Sequence, residues 1–319
     1  MYPSKQGGVE EVCLSLKLGF GKLGYEVETI SGYSKALIYS LKNLFSSDKN
    51  LLITNLHYGF FGLFFKRSIF IIHGYPYYRL LGFFKYYRLL FFHFLFSKFN
   101  TKSVAVSFLI RYVCENHMGV KINKVIQNPL PADFIINTEI AIEPDSLIYI
   151  GRIFPTKGID KILDAVDLCR NKYNQKIIFH IVGDGILFEK FKNKYAHPNN
   201  IFHGYISAES KYNLLSSSKA FISLNEGEPF GITALEAACF NKNCILPAYG
   251  GHTEFMPAHL LYTINDIFNI EEISTEICSA INNKQINNVL DKTINLDNYK
   301  PEQVAKKYLE LFIEDQTYS

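Results

Sequence analysis

Short apolar runs alternate with longer amphipathic stretches along the whole chain, which is the pattern of a doubly wound α/β fold. The first half predicts strands at about 25–30, 51–56, 68–73, 102–107 and 124–127. The second half predicts strands at 147–152, 176–183, 200–204, 219–224 and 243–248. Two such series in tandem predict two α/β domains that face each other across a cleft, with ligands bound at the carboxyl ends of the strands.

A polar connection after Pro131 separates the two series and marks the expected domain boundary. We expect a first domain over 1–143 and a second domain over 144–299. The last segment, PEQVAKKYLELFIED, opens with Pro301 and carries apolar residues at helical spacing. A closing helix is therefore expected within 300–319.

The composition is that of a folded protein with two cores, since 48% of the 319 residues are hydrophobic and 20% are charged. The six cysteines form no C-x-x-C pair, so we expect reduced thiols rather than zinc ligands or disulfides. No window reaches the ~18–20 uncharged apolar residues of a membrane span, and the first residues carry no apolar secretion signal. These features predict a cytoplasmic protein.

Basic and aromatic residues are concentrated in one part of the first domain. Nine Lys and Arg but no Asp or Glu occur between Lys49 and Cys114. The region 66–102 interleaves these cations with Phe, Tyr and Leu, which suits either the domain core or an anionic membrane surface. For the helix near 79–99 we favour peripheral contact with the inner face of the cytoplasmic membrane. No RNA- or DNA-binding motif accompanies the region, so no nucleic-acid partner is expected.

Several common phosphate and hydrolase motifs do not occur in the sequence. GFGKLG (19–24) matches G-x-G-x-x-G, but it ends a helical pattern instead of following a strand, so it does not indicate a dinucleotide site. The absence of a P-loop, an H-E-x-x-H and a G-x-S-x-G argues against a Walker-type NTPase, a zincin and an α/β-hydrolase.

Three glycine-containing stretches lie at predicted strand ends of the second domain. In GRIFPTKG, Arg152 ends a strand and Lys157 opens a helix, so the two cations either form an anion site or are plain surface residues. In VGDG, Gly183 and Gly185 allow a ligand to approach the backbone, although many strand-to-helix turns look similar. YGGHTE (249–254) supplies a further glycine pair after a strand.

A fourth stretch, EPFGITALE, places Glu228 and Glu236 on either side of a predicted helix start. The backbone N–H groups of Phe230, Gly231 and Ile232 would favour a phosphate there. A carboxylate can accept hydrogen bonds from the two hydroxyls of a sugar diol. Alternatively, Glu228 caps the helix and Glu236 is solvated. The apolar neighbours of Glu236 weaken this alternative, because they indicate a buried helix in which a charge needs a partner.

Taken in chain order, with EPFGITALE before YGGHTE, the four stretches resemble glycosyltransferase family 4, whose members are retaining enzymes of the GT-B fold with two Rossmann-like domains. The matching pieces are the arginine–lysine pair of GRIFPTKG, the VGDG turn, the E-x7-E element EPFGITALE and the GG-x-x-E that follows it. Less specific matches lie in SKQGGVEEV (4–12), IIHG (71–74) and VIQNPLPADF (125–134). The resemblance implies that the closing helix crosses back onto the first domain.

The resemblance also implies a role for each matching residue. Arg152 and Lys157 would bind the donor diphosphate and stabilise the charge that develops on it as it leaves. Glu228 would contact the donor sugar, Glu236 would bind the ribose, and His73 of the first domain would face the transferred sugar. The other expected donor contacts are Gly7, Gly8, Gly183, Asp184, Tyr205, Phe230, Gly231 and Ile232.

The implied activity is transfer of a hexose or N-acetylhexosamine from a nucleotide-diphosphate sugar to a glycan acceptor, lipid-linked or oligosaccharide, in the synthesis of a surface polysaccharide such as O-antigen (lipopolysaccharide) or capsule. No cofactor or metal is expected, because Arg and Lys take the place of a metal and no paired-Asp element occurs. The rival functions are a nucleotide-sugar epimerase or a sugar phosphorylase on the same fold, and a non-catalytic membrane-associated scaffold.

Family members usually begin with a strand that precedes the glycine-rich loop. Here Met1 is followed at once by YPSKQGGVEE. We therefore expect the first strand of the N-terminal sheet to be missing through truncation. Because that strand is central in a doubly wound sheet, its loss should leave unpaired backbone groups and a gap.

Overall fold

The computed structural model describes residues 7–45, 50–76, 81–136, 140–225, 227–283 and 294–313. The chain divides into two compact units. The N-terminal unit comprises Met1–Ala132 and Asp297–Ser319, and the C-terminal unit comprises Asp133–Leu296. The sequence had placed these two boundaries at 143/144 and 299/300.

Helices and parallel strands alternate in both units. The helices are α1 (Gly8–Lys22), α2 (Tyr33–Leu44), α3 (Phe83–Phe99), α4 (Phe108–His117), α5 (Ile159–Tyr173), α6 (Phe188–Lys194), α7 (Ala208–Ser217), α8 (Ile232–Cys239), α9 (Ile270–Asn282) and α10 (Pro301–Ile313). The strands are β1 (Leu51–Thr54), β2 (Arg67–Ile72), β3 (Lys102–Ala105), β4 (Lys124–Val125), β5 (Ser146–Ile150), β6 (Ile178–Val182), β7 (Asn200–Gly204), β8 (Ala220–Ile222), β9 (Asn243–Pro247) and β10 (Leu261–Ile264).

The N-terminal unit contains a parallel sheet in the order β1-β2-β3-β4. The closing helix α10 belongs to this unit and packs on α1. A Cβ on Gly19 would lie 2.2 Å from the carbonyl oxygen of Pro301, so the two helices touch through their backbones. Glu302 also accepts a hydrogen bond from Lys22 Nζ at 3.2 Å.

The described residues of the C-terminal unit form a six-stranded parallel sheet in the order β10-β9-β8-β5-β6-β7. Successive side chains of β5 enter opposite cores: Leu147 and Tyr149 pack into one, while Ile148 and Ile150 pack into the other. Such burial on both faces is typical of strands in a parallel sheet and explains their continuous apolar runs. Because both faces of the sheet are buried, the polar residues lie at the carboxyl ends of the strands.

Nine of the ten strands that the sequence predicts are present with similar bounds. The strand predicted at 25–30 is wrong, because these residues form an irregular connection between α1 and α2. Alternation of apolar and polar residues gives only a propensity, and no strand in the described ranges pairs with this segment. The sequence also missed β10, a four-residue strand whose half-buried side chains give only a short pattern.

Within the described ranges, no helix combines the length and the apolar character needed to cross a membrane. All six cysteines carry free thiols. The same part of the chain brings no group of three or more His, Cys, Asp or Glu together as a metal site.

Candidate active site

Glycines bring the carboxyl ends of β5, β6 and β7 into close contact. Gly183 N donates to Gly204 O at 2.8 Å, and Gly151 N donates to Val182 O at 3.0 Å. Gly183 has a φ of +127°, and a Cβ there would lie 2.0 Å from the Gly151 carbonyl oxygen. A Cβ on Gly185 would lie 2.3 Å from the carbonyl oxygen of Ile153. The loop that contains Gly151 and Ile153 therefore packs directly against both glycines of VGDG. A side chain at either glycine would displace this loop.

Asp184 and Tyr205 lie at this same edge of the sheet. The Asp184 carboxylate accepts a hydrogen bond from Gly185 N at 2.6 Å, which holds the turn after β6. Tyr205 follows the last residue of β7 and is 67% exposed. Its ring is therefore free to stack against a flat ligand group.

Lys157 and Glu228 form an ion pair, with Nζ 3.7 Å from Oε2. The amide of Asn225 donates to the same carboxylate oxygen. Both charged side chains are about three-quarters buried. Burial lowers the pKa of Lys157, Glu228 opposes this effect, and the nearby Arg152 guanidinium adds to it. The two cations of GRIFPTKG are thus close enough to interact, as an anion site requires.

Arg152 lies at the end of β5 and is exposed. Its guanidinium lies 5.6 Å from the centroid of the Phe154 ring. Its carbonyl oxygen accepts a hydrogen bond from the Tyr149 hydroxyl at 2.9 Å. Burial and the charge of Glu228 raise the pKa of this phenol, so Tyr149 stays protonated and anchors the loop. The guanidinium therefore extends from a fixed backbone into accessible space.

Helix α8 begins beside the Lys157–Glu228 pair. Its N-cap residue, Gly231, has a φ of +91°, and no side chain in the described part of the chain caps the first turn. A water-sized space of about 10 Å³ lies here, lined by residues that include Asn225, Glu228, Gly231 and His252. The helix start thus combines a positive helix-dipole end with polar side chains.

The Phe230 side chain takes no part in this polar surface. It is buried and packs on Phe255 with 5.0 Å between the ring centroids, while Ile232 is half-buried. Contacts from Phe230 to a ligand could therefore come only from its backbone.

Glu236 is 1% exposed and lies inside α8. Its Oε1 accepts hydrogen bonds from Lys211 Nζ and from the Tyr212 hydroxyl, both at 2.9 Å. Its Oε2 is buried and has no hydrogen-bond partner among the residues that the structure describes. Burial of a charge requires such partners, so Lys211 and Tyr212 explain why a carboxylate is tolerated there. The second oxygen keeps its capacity to accept a hydrogen bond.

The glycine pair of YGGHTE packs against the loop that carries Glu228. Gly251 N donates to the Glu228 carbonyl oxygen at 2.8 Å, and a Cβ on Gly251 would lie 2.0 Å from Pro229 O. His252 is buried, and its Nε2 lies 2.9 Å from Pro247 O. Because a carbonyl oxygen can only accept a hydrogen bond, Nε2 carries the proton and donates it to Pro247 O. Burial lowers the pKa of His252, which keeps the imidazole neutral.

Three of the expected site residues lie in the N-terminal unit. Gly7 is the N-cap of α1, and its N–H donates to Glu10 Oε2 at 3.1 Å, while Gly8 is exposed. His73 follows β2, and burial lowers its pKa to about 4. Each of the three therefore lies at an end of a regular element.

The sequence did not indicate five residues of the site, namely Tyr149, Lys211, Tyr212, Asn225 and His252. Tyr149 and Lys211 belong to a strand and a helix that otherwise look ordinary, and no motif marks them. His252 lies within YGGHTE, and Asn225 lies just ahead of EPFGITALE. Their positions in or beside these motifs could have indicated that they lie near Glu228. Asn225 precedes Glu228 by three residues, a spacing that allows contact within a turn.

The C-terminal unit matches the family model described as "Glycosyl transferases group 1" over residues 134–296. Among curated proteins, the chain is 25% identical over 178 residues to a poly(ribitol-phosphate) alpha-N-acetylglucosaminyltransferase of Staphylococcus aureus, covering 51% of this chain and 34% of that protein. The chain spans only about a third to under half of the length of the curated relatives that it matches.

Solved structures resemble the chain over nearly its full length. A sucrose-phosphate synthase from Thermosynechococcus elongatus gives a TM-score of 0.73 at 13% identity, with 98% of this chain and 94% of that chain covered. The Anabaena protein Alr3699/HepE, solved in complex with UDP and glucose, gives a TM-score of 0.68 at 14% identity, with 99% of this chain and 97% of that chain covered. At these identities the likeness concerns the fold alone, which is the α/β two-unit fold of GT-B glycosyltransferases.

Proposed function

Because this chain belongs to the glycosyl transferases group 1, we propose that it is a retaining hexosyltransferase of family 4 that uses a nucleotide-diphosphate sugar. The observation that carries this proposal is the Lys157–Glu228 ion pair beside the uncapped start of α8. A glycosyl donor of this kind presents a sugar and a diphosphate side by side. The Glu228 carboxylate can accept hydrogen bonds from sugar hydroxyls, and the Lys157 ammonium, 3.7 Å away, can bind phosphate.

Arg152, Lys157 and the start of α8 bind the donor diphosphate in this proposal. During glycosyl transfer the anomeric carbon becomes cationic and the nucleoside diphosphate leaves as an anion. Fixed cations and backbone N–H groups that face this anion stabilise the transition state by about 3 kcal/mol per strong donor, by analogy with oxyanion holes. Burial of Lys157 strengthens its interaction with an anion because less water screens it. Residues Phe230, Gly231 and Ile232 contribute through their backbones.

Glu236 binds the ribose through its unpartnered oxygen, and Gly183, Asp184 and Tyr205 contact the base and its surroundings. Support for the first role comes from Oε2 of Glu236, which has no hydrogen-bond partner within the described ranges. Support for the second comes from the exposed ring of Tyr205 at the same sheet edge. His73, Gly7 and Gly8 contact the transferred sugar or the phosphates from the N-terminal unit. The neutral imidazole of His73 can accept or donate a hydrogen bond.

The acceptor that we propose is a glycan, either an oligosaccharide or a lipid-linked chain, in surface polysaccharide synthesis such as lipopolysaccharide or capsule. The name of the S. aureus relative, which acts on a poly(ribitol phosphate), supports a polymer of the cell surface as acceptor. The complex of Alr3699/HepE with UDP and glucose makes UDP-sugars the first donors to test. We expect no metal requirement, since Arg152 and Lys157 supply the positive charge.

An exposed aromatic stripe on α3 supports peripheral membrane contact at the cytoplasmic face. Phe84, Tyr87, Phe91 and Phe94 follow a helical spacing and are all exposed, with Phe84 reaching 87%. The exposed cations Lys85, Arg88 and Lys98 lie on the same helix. Aromatic rings beside basic residues suit the interface of an anionic bilayer.

The donor site is tested by thermal shift with a panel of UDP-, GDP- and dTDP-sugars. A ligand at a hundredfold excess over its Kd stabilises the fold by ~2.7 kcal/mol. We expect one donor class to stabilise the wild type and to lose most of this effect with Lys157→Ala. Lys172→Ala is the matched control, because Lys172 lies at the far end of α5, about 20 Å along the helix. Absence of a shift with every donor, for a chain shown to be folded, would overturn the proposal.

Product analysis then distinguishes the reaction from its rivals. A retaining transferase gives a product with the anomeric configuration of the donor, and it depends on a glycan acceptor. An epimerase would rearrange the nucleotide sugar without an acceptor, a phosphorylase would need inorganic phosphate, and a scaffold would turn over no donor. Anomeric proton signals in NMR spectra of the reaction mixture separate these outcomes.

A further inference from the structure

Phe134 is the second residue of the C-terminal unit, and its side chain packs inward while its neighbours in the chain do not. Residues 132, 133, 135 and 136 are exposed, with Ile135 at 57%, whereas Phe134 is half-buried. The Phe134 ring lies 5.2 Å from the Tyr212 ring at an interplanar angle of 87°, and 5.8 Å from the Phe240 ring at 69°. Edge-to-face contacts of this kind are a favoured arrangement of aromatic pairs. Phe134 therefore anchors the first residues of the unit against α7 and the end of α8.

The Tyr212 ring has two further neighbours and is 1% exposed. Phe240 stacks on it with 6.0 Å between the centroids, and Lys211 Nζ lies 4.2 Å from its centroid. Lys211 belongs to α7 and Phe240 follows α8 directly, whereas Phe134 comes from a separate segment of the chain. The position of the Tyr212 ring thus depends on a residue that lies almost 80 positions earlier in the sequence.

Tyr212 and Lys211 both act on one oxygen of the Glu236 carboxylate. The Tyr212 hydroxyl and Lys211 Nζ donate to Oε1, each at 2.9 Å. Oε2 is buried, and no residue that the structure describes donates to it. Buried acceptors are normally satisfied, so Oε2 calls for a donor that a ligand can supply. Because two donors hold Oε1, they also fix the rotation of the carboxylate and with it the position of Oε2.

We propose that Phe134 is a positioning residue for recognition of the donor ribose. Its ring holds Tyr212 in place, Tyr212 and Lys211 orient the Glu236 carboxylate, and Oε2 accepts hydrogen bonds from the two ribose hydroxyls. This inference rests on the proposed function, in which Glu236 binds the ribose. A carboxylate oxygen has two lone pairs, which suits it to the two adjacent hydroxyls of a ribose.

Phe134 acts through Tyr212 and not by touching the nucleotide. Loss of the Phe134 ring would leave a void beside the Tyr212 ring, into which that ring can move. The Tyr212 hydroxyl then withdraws from Oε1, and the carboxylate is free to turn away from the ribose. The phosphate-binding residues Arg152 and Lys157 lie on a different loop, so their contribution to affinity should be retained.

The preference for a ribonucleotide over its 2′-deoxy form tests this proposal. Isothermal titration calorimetry compares UDP with 2′-deoxy-UDP, and GDP with 2′-deoxy-GDP. We expect the wild type to bind one ribonucleotide about tenfold or more tightly than its deoxy form, because the deoxy form leaves Oε2 without one of its donors. In Phe134→Ala this ratio should fall to about threefold or less. General loss of folding would weaken both nucleotides alike and leave the ratio unchanged.

Three further variants of the full chain control for the loss of side-chain volume. Phe134→Tyr keeps the ring and should keep the wild-type ratio, whereas Phe134→Leu keeps only an apolar side chain and should lower it. Ile135→Ala removes the exposed neighbouring side chain and should leave the ratio unchanged. Circular dichroism melts show which variants are folded, and Phe134→Leu takes the place of Phe134→Ala if the latter is not. A wild-type ratio in both the Ala and the Leu variant would overturn the positioning role.

Glu236→Gln separates failure of this inference from failure of the ribose assignment. It should lower the ratio as Phe134→Ala does, because a Gln side chain alters the acceptor that faces the ribose. A wild type that prefers neither ribonucleotide, or a Glu236→Gln variant with the full preference, would overturn the ribose role in the proposed function. A preference that is lost in Glu236→Gln but retained in Phe134→Ala would overturn the role of Phe134 alone.

Discussion

Lys157 Nζ lies 3.7 Å from Glu228 Oε2, and the same carboxylate oxygen accepts a hydrogen bond from the Asn225 amide. The three residues come from two different strand ends, those that follow β5 and β8. Each charged group is largely removed from water, so each depends on the other for its stability. A ligand that carries both hydroxyls and phosphate could engage the two charges together.

Replacement of Glu228 by Gln should reduce kcat/KM for the donor by about 10²–10³-fold, in line with the removal of one strong electrostatic contact. Glu228 raises the pKa of Lys157, so the variant should also lower that pKa further. Steady-state turnover of the donor identified by thermal shift measures the effect. Glu189→Gln, at an exposed position of α6, is the control and should retain full activity. Loss of less than threefold in the Glu228 variant would contradict a catalytic role.

Glu236→Ala should lower the free energy of unfolding by about 3 kcal/mol, because it leaves the Lys211 ammonium in a largely buried position without its carboxylate. The double variant Glu236→Ala with Lys211→Met should recover much of this loss, since the carboxylate and the ammonium are then both removed. Urea denaturation of the single and double variants measures both effects. A single variant within about 1 kcal/mol of wild type would show that the ion pair contributes little.

Glu228 and Glu236 show which parts of the site could be predicted from the sequence and which could not. Lys157, Glu228 and the start of α8 were predicted because proline and glycine breaks after apolar runs mark strand ends and helix starts. The partners of Glu236 were not predicted, because Lys211 lies 25 positions away and no motif marks it. Contacts between separate elements depend on how those elements pack, which local patterns do not specify.

The fold was predicted more completely in the C-terminal unit than in the N-terminal unit. Strands such as β5 are buried on both faces and leave long apolar runs that local patterns reveal. Residues 25–30 carry an equally good strand pattern but form no strand, because a strand also needs a neighbour with which to pair. The prediction failed at that position because pairing is a property of the sheet and not of the segment.

Substitution of Phe84 and Phe91 by Ser should abolish most binding to anionic vesicles at low salt. Both rings are exposed on α3, so their loss removes apolar insertion while leaving the fold intact. Flotation with vesicles that contain phosphatidylglycerol measures binding, which should also weaken as salt rises, because the basic residues of α3 contribute electrostatic attraction. Ile186→Ser with Phe268→Ser removes two exposed apolar side chains of the C-terminal unit and is the control. Salt-independent binding, or none by the wild type, would refute membrane contact through α3.

Stability should fall as the pH drops below about 6.5. Burial lowers the pKa of His73 (to about 4), His93, His203 and His252. These groups stay neutral in the folded chain while the unfolded chain takes up protons at its ordinary pKa near 6.5. Each such histidine therefore contributes stability above pH 6.5 that is lost at up to about 1.4 kcal/mol per pH unit as the pH falls towards its folded pKa.

Urea unfolding at pH 7.5, 6.5 and 5.5 measures this dependence by circular dichroism, since the chain contains no tryptophan. His93→Gln should flatten the slope because it removes one of the groups that titrate only on unfolding. An unfolding free energy that is constant over this range in the wild type would contradict the assignment of buried neutral histidines.

Gly183→Ala should destabilise the C-terminal unit by about 3 kcal/mol or more. The φ of +127° disfavours any residue with a Cβ, and the new Cβ would lie 2.0 Å from the Gly151 carbonyl oxygen. Because Gly151 immediately precedes Arg152, displacement of this loop should also weaken donor binding. Gly21→Ala is the matched control, because this glycine lies within α1 and its added Cβ meets no atom of the described residues within 4 Å. The change should stabilise the helix by roughly 0.5–1 kcal/mol. Denaturation curves and donor thermal shifts of the two variants check both effects, and a Gly183 variant that matched wild type in both would show that the loop of Arg152 tolerates displacement.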